Sequence, residues 1–311
     1  MSKVLVTGGA GFIGSCMVGK LIERGDQVTV IDNLSSGRKE NINPKAEFIQ
    51  GDLKDKEFVL ENIKNFDWVY HLAANPDVRL GEQDKRVHIQ ENIIVTHNIL
   101  EAMRLNKLDK IVFTSTSAVY GEAREIPTPE DYGPLITISL YAASKLAAES
   151  IIYSYSEFGI RSWVLRLANI IGGRSDHGVI PDFVKKLEKN PEELEVLGDG
   201  KQTKSYLHVD DCTDAMLFAT ENAGDKINIF NIGSPDTVTV KEIAELVIER
   251  KSPGASIRYT GGKQGWRGDV TKFLLSIEKL KKLGWVPQST SRDSVIKTIE
   301  QILAKNENKQ I

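Results

Sequence analysis

The feature that most constrains the fold is a glycine-rich turn that directly follows the first apolar run of the chain. Val4, Leu5 and Val6 form that run, and the turn reads Thr7-Gly8-Gly9-Ala10-Gly11-Phe12-Ile13-Gly14 before a helical pattern begins. Such a turn between a strand and a helix places free backbone amides where they can bind the phosphates of a dinucleotide. We therefore predict a dinucleotide site here. A glycine-rich turn without a ligand is the alternative.

Each glycine of the turn has a predicted role. Gly8 permits the tight turn, Gly11 lets a pyrophosphate approach the backbone, and Gly14 allows close contact between helix and strand. Asp32 ends the second apolar run, where a carboxylate can accept hydrogen bonds from the adenosine ribose and would repel the 2′-phosphate of NADP. The sequence therefore favours NAD as the cofactor. An Asx turn with Asn33 is the other explanation of Asp32.

Short apolar runs alternate with helical patterns through the first half of the chain. Near-continuously apolar runs are typical of parallel strands that are buried on both faces. The predicted strands are Lys3 to Thr7, Gln27 to Asp32, Ala46 to Gln50, Trp68 to Leu72, Lys110 to Ser115 and Ser162 to Leu167.

The fold class is predicted as α/β, a doubly wound parallel Rossmann sheet with a smaller C-terminal substrate-binding lobe. The NAD-binding domain is predicted over 1–167, and the chain is expected to return to it near 206–234. The substrate-binding lobe is predicted mainly over 168–311, where glycines and prolines interrupt shorter elements.

Composition excludes several classes of protein. Apolar residues form 41% of the chain and charged residues 27%, which is typical of a soluble globular protein. The net charge of −3 comes from mixed charges without a basic stripe, so we expect no nucleic-acid partner. We also expect no membrane span and no secretory signal, and hence a cytoplasmic protein. Cys16 and Cys212 are expected to be reduced, and the spacing of the five histidines predicts no metal site.

Tyr141 and Lys145, four residues apart, are the first candidate catalytic residues. On a helix they lie on the same face. A phenol with a pKa near 10 needs a neighbouring positive charge before it can act as a base at neutral pH, and Lys145 and an oxidised nicotinamide supply it. Taken alone, the same spacing is also expected on exposed helices that have no catalytic role.

Hydroxyl residues at the end of the fifth predicted strand favour the catalytic role. Ser115, Thr116 and Ser117 stand where folds of this class bind their ligands. The Thr116 hydroxyl can bridge the Tyr141 phenol and a substrate hydroxyl, and so position the proton that leaves when a hydride departs. A Ser/Thr-rich strand end that only satisfies backbone groups is the alternative.

Two other strand ends are predicted to contact the cofactor. Asp52 can accept a hydrogen bond from the adenine amino group, while Leu53 supplies an apolar wall. The small residues in Leu72-Ala73-Ala74 let the backbone approach the cofactor, although a plainly packed strand end has the same sequence.

Together these residues resemble the extended short-chain dehydrogenase/reductase family, and within it the UDP-glucose 4-epimerases and their nucleotide-sugar relatives. The resemblance spans nearly the whole chain. Besides the glycine turn and the Tyr141–Lys145 pair, it rests on Asp32-Asn33-Leu34-Ser35-Ser36-Gly37, Gly51-Asp52-Leu53, Asn92, Ser115-Thr116, Val119-Tyr120-Gly121, Arg166, Asn169, Tyr206-Leu207-His208-Val209 with Asp211, and Arg267-Gly268-Asp269.

The resemblance implies an NAD-dependent isomerase that inverts C4 of a UDP-sugar through a transient 4-keto sugar, with Thr116, Tyr141 and Lys145 as the catalytic residues. It implies a homodimer formed by helices around 92–105 and 140–155. Further cofactor contacts are implied at Phe12, Ile13, Asn33, Ser35, Ser36, Gly37, Asn92, Ser115, Tyr141 and Lys145. Substrate contacts are implied at Thr116, Asn169, Val179, Lys204, Arg267, Asp269 and Phe273, with Arg267 and Asp269 at the diphosphate and the nucleotide ribose.

Three positions bear on the reaction and the sugar. Ala118 stands just after the hydroxyl residues, where relatives that dehydrate or decarboxylate carry an acid, so simple epimerisation is favoured. Lys204 stands where the family often has arginine, which changes a bidentate contact into a point charge. The bulk of Phe273 favours UDP-glucose and UDP-galactose over N-acetylated sugars. The alternatives are an epimerase for UDP-N-acetylhexosamine or a UDP-uronic acid, another nucleotide-sugar oxidoreductase, and a non-catalytic NAD-binding protein.

Overall fold

A computed structural model of the chain describes residues 1–78, 80–262 and 271–307. The chain forms two compact units. Unit 1 consists of Met1–Gly121, Gly133–Leu167 and Thr213–Phe230. Unit 2 consists of Glu122–Tyr132, Ala168–Cys212 and the described residues of Asn231–Ile311. The sequence-based division placed the limit at 167 and the return of the chain near 206–234, and it had no place for the excursion of Glu122–Tyr132 into unit 2.

Fourteen strands and ten α-helices are formed by the described residues. The strands are β1 Lys3–Thr7, β2 Gln27–Asp32, β3 Glu47–Gln50, β4 Trp68–His71, β5 Lys110–Thr116, β6 Arg161–Leu167, β7 Asn169–Ile171, β8 Glu193–Val196, β9 Thr203–Lys204, β10 Tyr206–His208, β11 Ile227–Ile232, β12 Val238–Thr239, β13 Ser256–Tyr259 and β14 Lys272–Phe273. The helices are α1 Phe12–Glu23, α2 Lys56–Asn62, α3 Leu80–Gln83, α4 Val95–Leu105, α5 Leu140–Tyr155, α6 Val179–Lys189, α7 Val209–Asn222, α8 Val240–Lys251, α9 Glu278–Leu283 and α10 Ser291–Glu307.

A seven-stranded parallel sheet organises unit 1, in the order β11-β6-β5-β4-β1-β2-β3. Most residues of its central strands are buried, and Val4, Leu5 and Val6 of β1 are fully buried, as expected for parallel strands covered on both faces. The strand order reverses between β1 and β4, which is the point where sheets of this kind bind ligands. The predicted doubly wound Rossmann sheet is confirmed.

Unit 2 is built from short strands packed on helices. Its small sheets pair β7 with β10, β8 with β13, and β9 with both β12 and β14. The apolar core of unit 2 includes Phe183 and Leu187 of α6, Val247 of α8 and Ile299 of α10. Among the described helices, none has the length and apolar character that crossing a membrane requires.

The glycine turn of unit 1 is shaped by backbone-to-backbone contacts that leave no room for side chains. Gly8 has a positive φ of 71°, and a Cβ built on it would lie 2.6 Å from the Ala73 amide nitrogen. A Cβ on Gly14 would lie 2.1 Å from the Gly8 carbonyl oxygen. Helix α1 therefore starts directly against the end of β1, and Gly14 has the helix–strand packing role predicted for it.

We expect Gly14→Ala to lower the free energy of unfolding by about 2 kcal/mol, because the added methyl group must displace backbone. Gly19→Ala in the same helix is the matched control. A Cβ on Gly19 has no neighbour within 4 Å, so that variant is expected to gain about 0.5–1 kcal/mol of helix stability. Urea unfolding of both variants measures the difference, and equal stabilities would contradict this account of the turn.

Candidate active site

Helix α5 presents Tyr141 and Lys145 to the interior of unit 1. The helix begins after Ser139, whose hydroxyl accepts a hydrogen bond from the Ala142 amide at 3.1 Å. Lys145 lies one turn beyond Tyr141 on the same face and is only 2% exposed. Its ammonium group lies 4.0 Å from the ring centroid of Phe113 on β5, which offers the charge a cation–π contact.

Strand β5 brings Thr116 to the same place. Thr116 ends the strand and caps a short 3₁₀ helix, Ser117–Tyr120, so its hydroxyl oxygen accepts from the Ala118 amide at 3.2 Å. The Thr116 hydroxyl also lies close enough to the Tyr141 phenol to lower the pKa of that phenol. The structure therefore brings together the three residues that are predicted as catalytic. Thr116 also has the alternative role considered for it, because its hydroxyl accepts a hydrogen bond from a backbone amide.

Burial shifts the two titrating groups in opposite directions. Desolvation raises the pKa of Tyr141 to about 12, against the smaller lowering effect of its hydrogen bond with Thr116. Desolvation lowers the pKa of Lys145 to about 7, against the raising effect of the Glu149 carboxylate. A phenol this weakly acidic cannot act as a base near neutral pH unless positive charge is close to it. That Lys145 supplies this charge to Tyr141 stays a prediction.

The second strand end supports the glycine turn through a carboxylate. Asp32 is 8% exposed, and its two oxygens accept hydrogen bonds from the Ala10 amide at 3.0 Å and the Leu34 amide at 2.8 Å. The Asx turn considered as an alternative is thus present, closed by Leu34. Each oxygen keeps a further acceptor site, so the predicted ribose contact stays a prediction.

The loop after Asp32 folds back over the turn. A Cβ on Gly37 would lie 2.8 Å from the Ala10 Cβ and 3.0 Å from Asp32 Oδ1, so glycine is required for this approach. Within the loop, the Asn33 side chain accepts from the Ser35 amide at 3.0 Å, while Ser36 is exposed. The contacts predicted between this loop and the cofactor stay predictions.

The other two strand ends flank the turn. The Leu72 amide donates to the Thr7 carbonyl at 3.1 Å, and Ala73 and Ala74 follow as small, half-buried residues. Asp52 accepts from the Lys54 amide at 2.9 Å and is partly exposed, whereas Leu53 is buried. These placements leave open the adenine and backbone contacts that the sequence predicts for both segments.

In unit 2, three of the predicted substrate residues lie on neighbouring short strands. Phe273 of β14 pairs directly with Lys204 of β9. Asn169 of β7 donates to the carbonyl of Ser205, the next residue after Lys204, at 3.0 Å. Val179, also predicted to bind substrate, begins α6 and packs against the apolar core of unit 2. Arg267 and Asp269 lie outside the described residues.

The comparisons with known proteins agree with this geometry. The sequence matches the NAD dependent epimerase/dehydratase family over residues 4–233. The chain belongs to that family. The crystal structure of a UDP-galactose 4-epimerase is 44% identical, with a TM-score of 0.89, over 98% of this chain and 99% of that one. A Corynebacterium glutamicum UDP-glucose 4-epimerase is 32% identical over 94% of this chain and 93% of the relative.

A cofactor-bound neighbour extends the agreement to NAD. A Thermus thermophilus UDP-glucose 4-epimerase, solved as a complex with NAD, is 32% identical, with a TM-score of 0.87, over 97% of this chain and 99% of that one. As a member of the epimerase/dehydratase family, the chain uses NAD, and its relatives are isomerases. The resemblance seen in the sequence and the predicted cofactor are therefore confirmed.

The glycine turn fits the pyrophosphate of NAD. A Cβ on Gly11, the residue that caps α1, would meet only the Gly8 carbonyl oxygen, at 3.2 Å, so the rest of its surroundings within unit 1 is open. The amides of Phe12 and Ile13 belong to the first helical turn and have no partner within the helix. The first turn of α1 also contains no acidic residue that would repel a phosphate.

Asn92, predicted to contact the cofactor, makes hydrogen bonds to other residues of unit 1. It is 2% exposed in the π-helical segment Ile89–Ile94, its oxygen accepts from the Asn75 amide, and its amide group donates to the Ser144 hydroxyl at 2.9 Å. The Ser144 hydroxyl in turn donates to the Tyr141 carbonyl at 2.7 Å. Asn92 therefore fixes the first turn of α5, and a direct contact with NAD stays a prediction.

A buried histidine continues this chain of hydrogen bonds to the glycine turn. The Asn92 carbonyl accepts the Thr96 hydroxyl proton at 2.6 Å, so Nε2 of His71 must donate to Thr96. Nδ1 of His71 then accepts from the Thr7 hydroxyl at 2.9 Å. Sequence reasoning assigned no role to His71, although its position at the end of β4 gave a signal.

Two further buried side chains escaped the sequence analysis. His88 is 1% exposed and lies edge-on to Tyr141, with ring centroids 5.7 Å apart. Burial lowers the pKa of His88, and neither of its ring nitrogens has a hydrogen-bond partner among the described residues. Glu149 lies one turn beyond Lys145. The only signal for it in the sequence is the spacing of four residues, which continues from Tyr141 through Lys145 to Glu149.

We expect His71 to make the fold sensitive to acid. Burial, and to a smaller extent the charge of Lys145, lowers the pKa of His71 to about 3, against about 6.5 in an unfolded chain. As the pH falls, the unfolded chain takes up this proton first, so stability is lost between pH 6.5 and pH 3. Between pH 7.5 and pH 5 the loss from this group is about 2 kcal/mol.

Urea unfolding at these two pH values tests the expectation. His71→Gln should show a pH-dependent loss smaller than that of the wild type by about 2 kcal/mol, because the side chain no longer titrates. His177→Gln, a change at an exposed histidine, should keep the wild-type loss. An unchanged loss in His71→Gln would show that His71 accepts a proton in the folded chain.

Proposed function

We propose that this chain interconverts the C4 epimers of a UDP-hexose, with UDP-galactose and UDP-glucose as its substrates. The observation that carries the proposal is the proximity of the Thr116 hydroxyl to the Tyr141 phenol, with the buried Lys145 one helical turn beyond Tyr141. The names of the relatives that share this chain over nearly its full length support the choice of nucleotide and sugar.

Tyr141 removes the proton from the C4 hydroxyl of the sugar, and Thr116 bridges the two oxygens. Thr116 can do so because its hydroxyl carries one proton and two acceptor sites, of which the Ala118 amide occupies one. NAD, held at the glycine turn, would supply the acceptor and then the donor of the hydride at C4. Tyr141 then gives its proton back to the C4 oxygen, so the site ends each turnover unchanged.

The first residues of the 3₁₀ helix argue against dehydration and decarboxylation. Ser117 and Ala118 follow Thr116 in the helix that β5 leads into. A methyl group at Ala118 can neither donate nor accept a proton, so the site has no second acid or base there for an elimination step. Simple epimerisation needs only the one proton that Tyr141 holds.

The substrate contacts in unit 2 are part of the proposal. Lys204 would contribute a point charge to the diphosphate, and Asn169, fixed by its bond to the Ser205 carbonyl, would offer its amide oxygen. Arg267 and Asp269 keep their predicted roles at the diphosphate and the ribose.

The expected homodimer also belongs to the proposal. Apolar side chains are exposed along α4, α5 and the π-helical segment before α4, among them Ile94 at 43%, Leu105 at 50% and Leu140 at 43%. A second copy of the chain would bury such a surface. A cytoplasmic location is likewise an expectation from the sequence.

We expect Tyr141→Phe to lower the turnover of UDP-galactose by a factor of about 10²–10⁴, because the proton acceptor is lost while the ring is kept. Conversion is followed by NMR of the C4 proton, and bound NAD is measured after release from the denatured protein. NAD content should stay at the wild-type level.

The matched control is Tyr259→Phe, which removes a phenol oxygen from a partly exposed tyrosine in unit 2. It should retain wild-type turnover. Wild-type rates in Tyr141→Phe would refute the assigned role. A product heavier than the substrate by two hydrogens, formed only with added NADH, would replace the proposal by a nucleotide-sugar reductase.

The choice between plain and N-acetylated hexoses is proposed to depend on Phe273. Phe273→Ala should raise the ratio of kcat/KM for UDP-N-acetylglucosamine to that for UDP-glucose by about tenfold or more, because one ring of apolar volume is removed. Phe273→Leu should raise it less. If both variants kept the wild-type ratio, Phe273 would not limit the size of the sugar.

A further inference from the structure

A buried ion pair lies directly behind the catalytic helix face. Glu149 of α5 has a fully buried side chain, and the side chain of Arg166 on β6 is 4% exposed. Arg166 Nε donates to Glu149 Oε1 at 3.1 Å and Nη2 donates to Oε2 at 2.8 Å. This bidentate geometry fixes the carboxylate in one orientation.

Two hydroxyl groups complete the surroundings of the carboxylate. Ser115 Oγ donates to Oε1 at 2.5 Å, and the Tyr153 hydroxyl donates to Oε2 at 2.9 Å. Glu149 thus receives four donors, which is the donor set of an ionised carboxylate, since that form only accepts. The donation from Ser115 also ties the carboxylate to the residue that precedes Thr116.

Stability alone does not explain this pair. Removing two charges from water costs free energy that a buried pair barely recovers, and apolar side chains of equal volume commonly do as well. What the pair provides is a fixed negative charge one turn beyond Lys145. Glu149 raises the pKa of Lys145, and Arg166 is not among the described groups that shift it.

We propose that Glu149 is a positioning residue for the reaction: held by Arg166, it keeps Lys145 charged and anchors the strand end that carries Thr116. Only the expected effect of Glu149 on turnover rests on the proposed function. The titratable and charged groups around Lys145 and this carboxylate are His71 on β4, Tyr120 after β5, Tyr141 and Tyr153 on α5, and Arg166 on β6.

The test is a titration of the lysine side chains, followed by NMR of chains labelled at lysine Cε and saturated with NAD. Lys145→Met identifies the signal of Lys145. In Glu149→Gln the midpoint of that signal should fall by about one pH unit or more, because a nearby opposite charge is lost. The alkaline limb of the pH profile of kcat should move the same way, giving about tenfold lower turnover on that limb.

Glu157→Gln is the matched control, because it removes the same charge from an exposed residue just after α5, with a side chain that is 79% exposed. It should leave the Lys145 midpoint and the pH profile in place. A midpoint in Glu149→Gln equal to that of the wild type overturns the proposal.

Glu149→Gln leaves Arg166 without its buried partner, so the double variant with Arg166→Met is measured as well. It replaces the pair by uncharged side chains and should fold. Its Lys145 midpoint should also lie below the wild-type value, and an unchanged midpoint overturns the proposal. A wild-type chain that does not convert UDP-galactose would count against the proposed function only, since the titration does not depend on the substrate.

Discussion

Everything at this site depends on placing an ammonium group where water cannot reach it. The Lys145 side chain is buried between α5 and β5, so the protein must offer the charge other partners, namely the Phe113 ring and the Glu149 carboxylate. A surface lysine would be screened and would affect the phenol little. Burial removes that screening, and it brings the pKa of Lys145 down to about 7.

Within unit 1, hydrogen bonds connect the glycine turn to helix α5. A continuous chain of hydrogen bonds runs from the end of β1 through the end of β4 and the start of α4 to the first turn of α5. Its members are Thr7, His71, Thr96, Asn92, Ser144 and Tyr141. Every group in it is buried or half-buried, so breaking one bond leaves an unsatisfied polar atom, which costs about 1–3 kcal/mol. That cost holds Tyr141 at a fixed place relative to the glycine turn.

The features that could be predicted from the sequence are those that depend on local geometry. The backbone of the turn has room only for glycine at Gly8 and Gly14, and Tyr141 and Lys145 are spaced by one helical turn. Both features can therefore be seen in the sequence. The pairing of Glu149 with Arg166 was not, because it joins two elements whose register only the folded sheet defines. Asn92 was noticed through its resemblance to relatives, but its partners Asn75 and Ser144 come from two other segments. The assignment of Glu122–Tyr132 to unit 2 likewise depends on contacts with residues distant in the sequence.

Under the proposed function, unit 1 supplies the proton-transfer groups and unit 2 supplies contacts to the substrate, which explains why the reaction is easier to predict than the sugar. The proton and hydride steps need a fixed set of groups within about 3 Å of one another, and that set leaves a strict pattern in the sequence. Discrimination between a plain and an N-acetylated hexose depends on whether the pocket has room for one acetyl group. The difference in binding free energy is about 1–3 kcal/mol, and many different side chains can provide it. In unit 2 the pairing of Phe273 with Lys204 places a bulky group next to a charge. Under the proposed function, small changes at these two positions would alter the sugar while the proton-transfer groups of unit 1 stay the same.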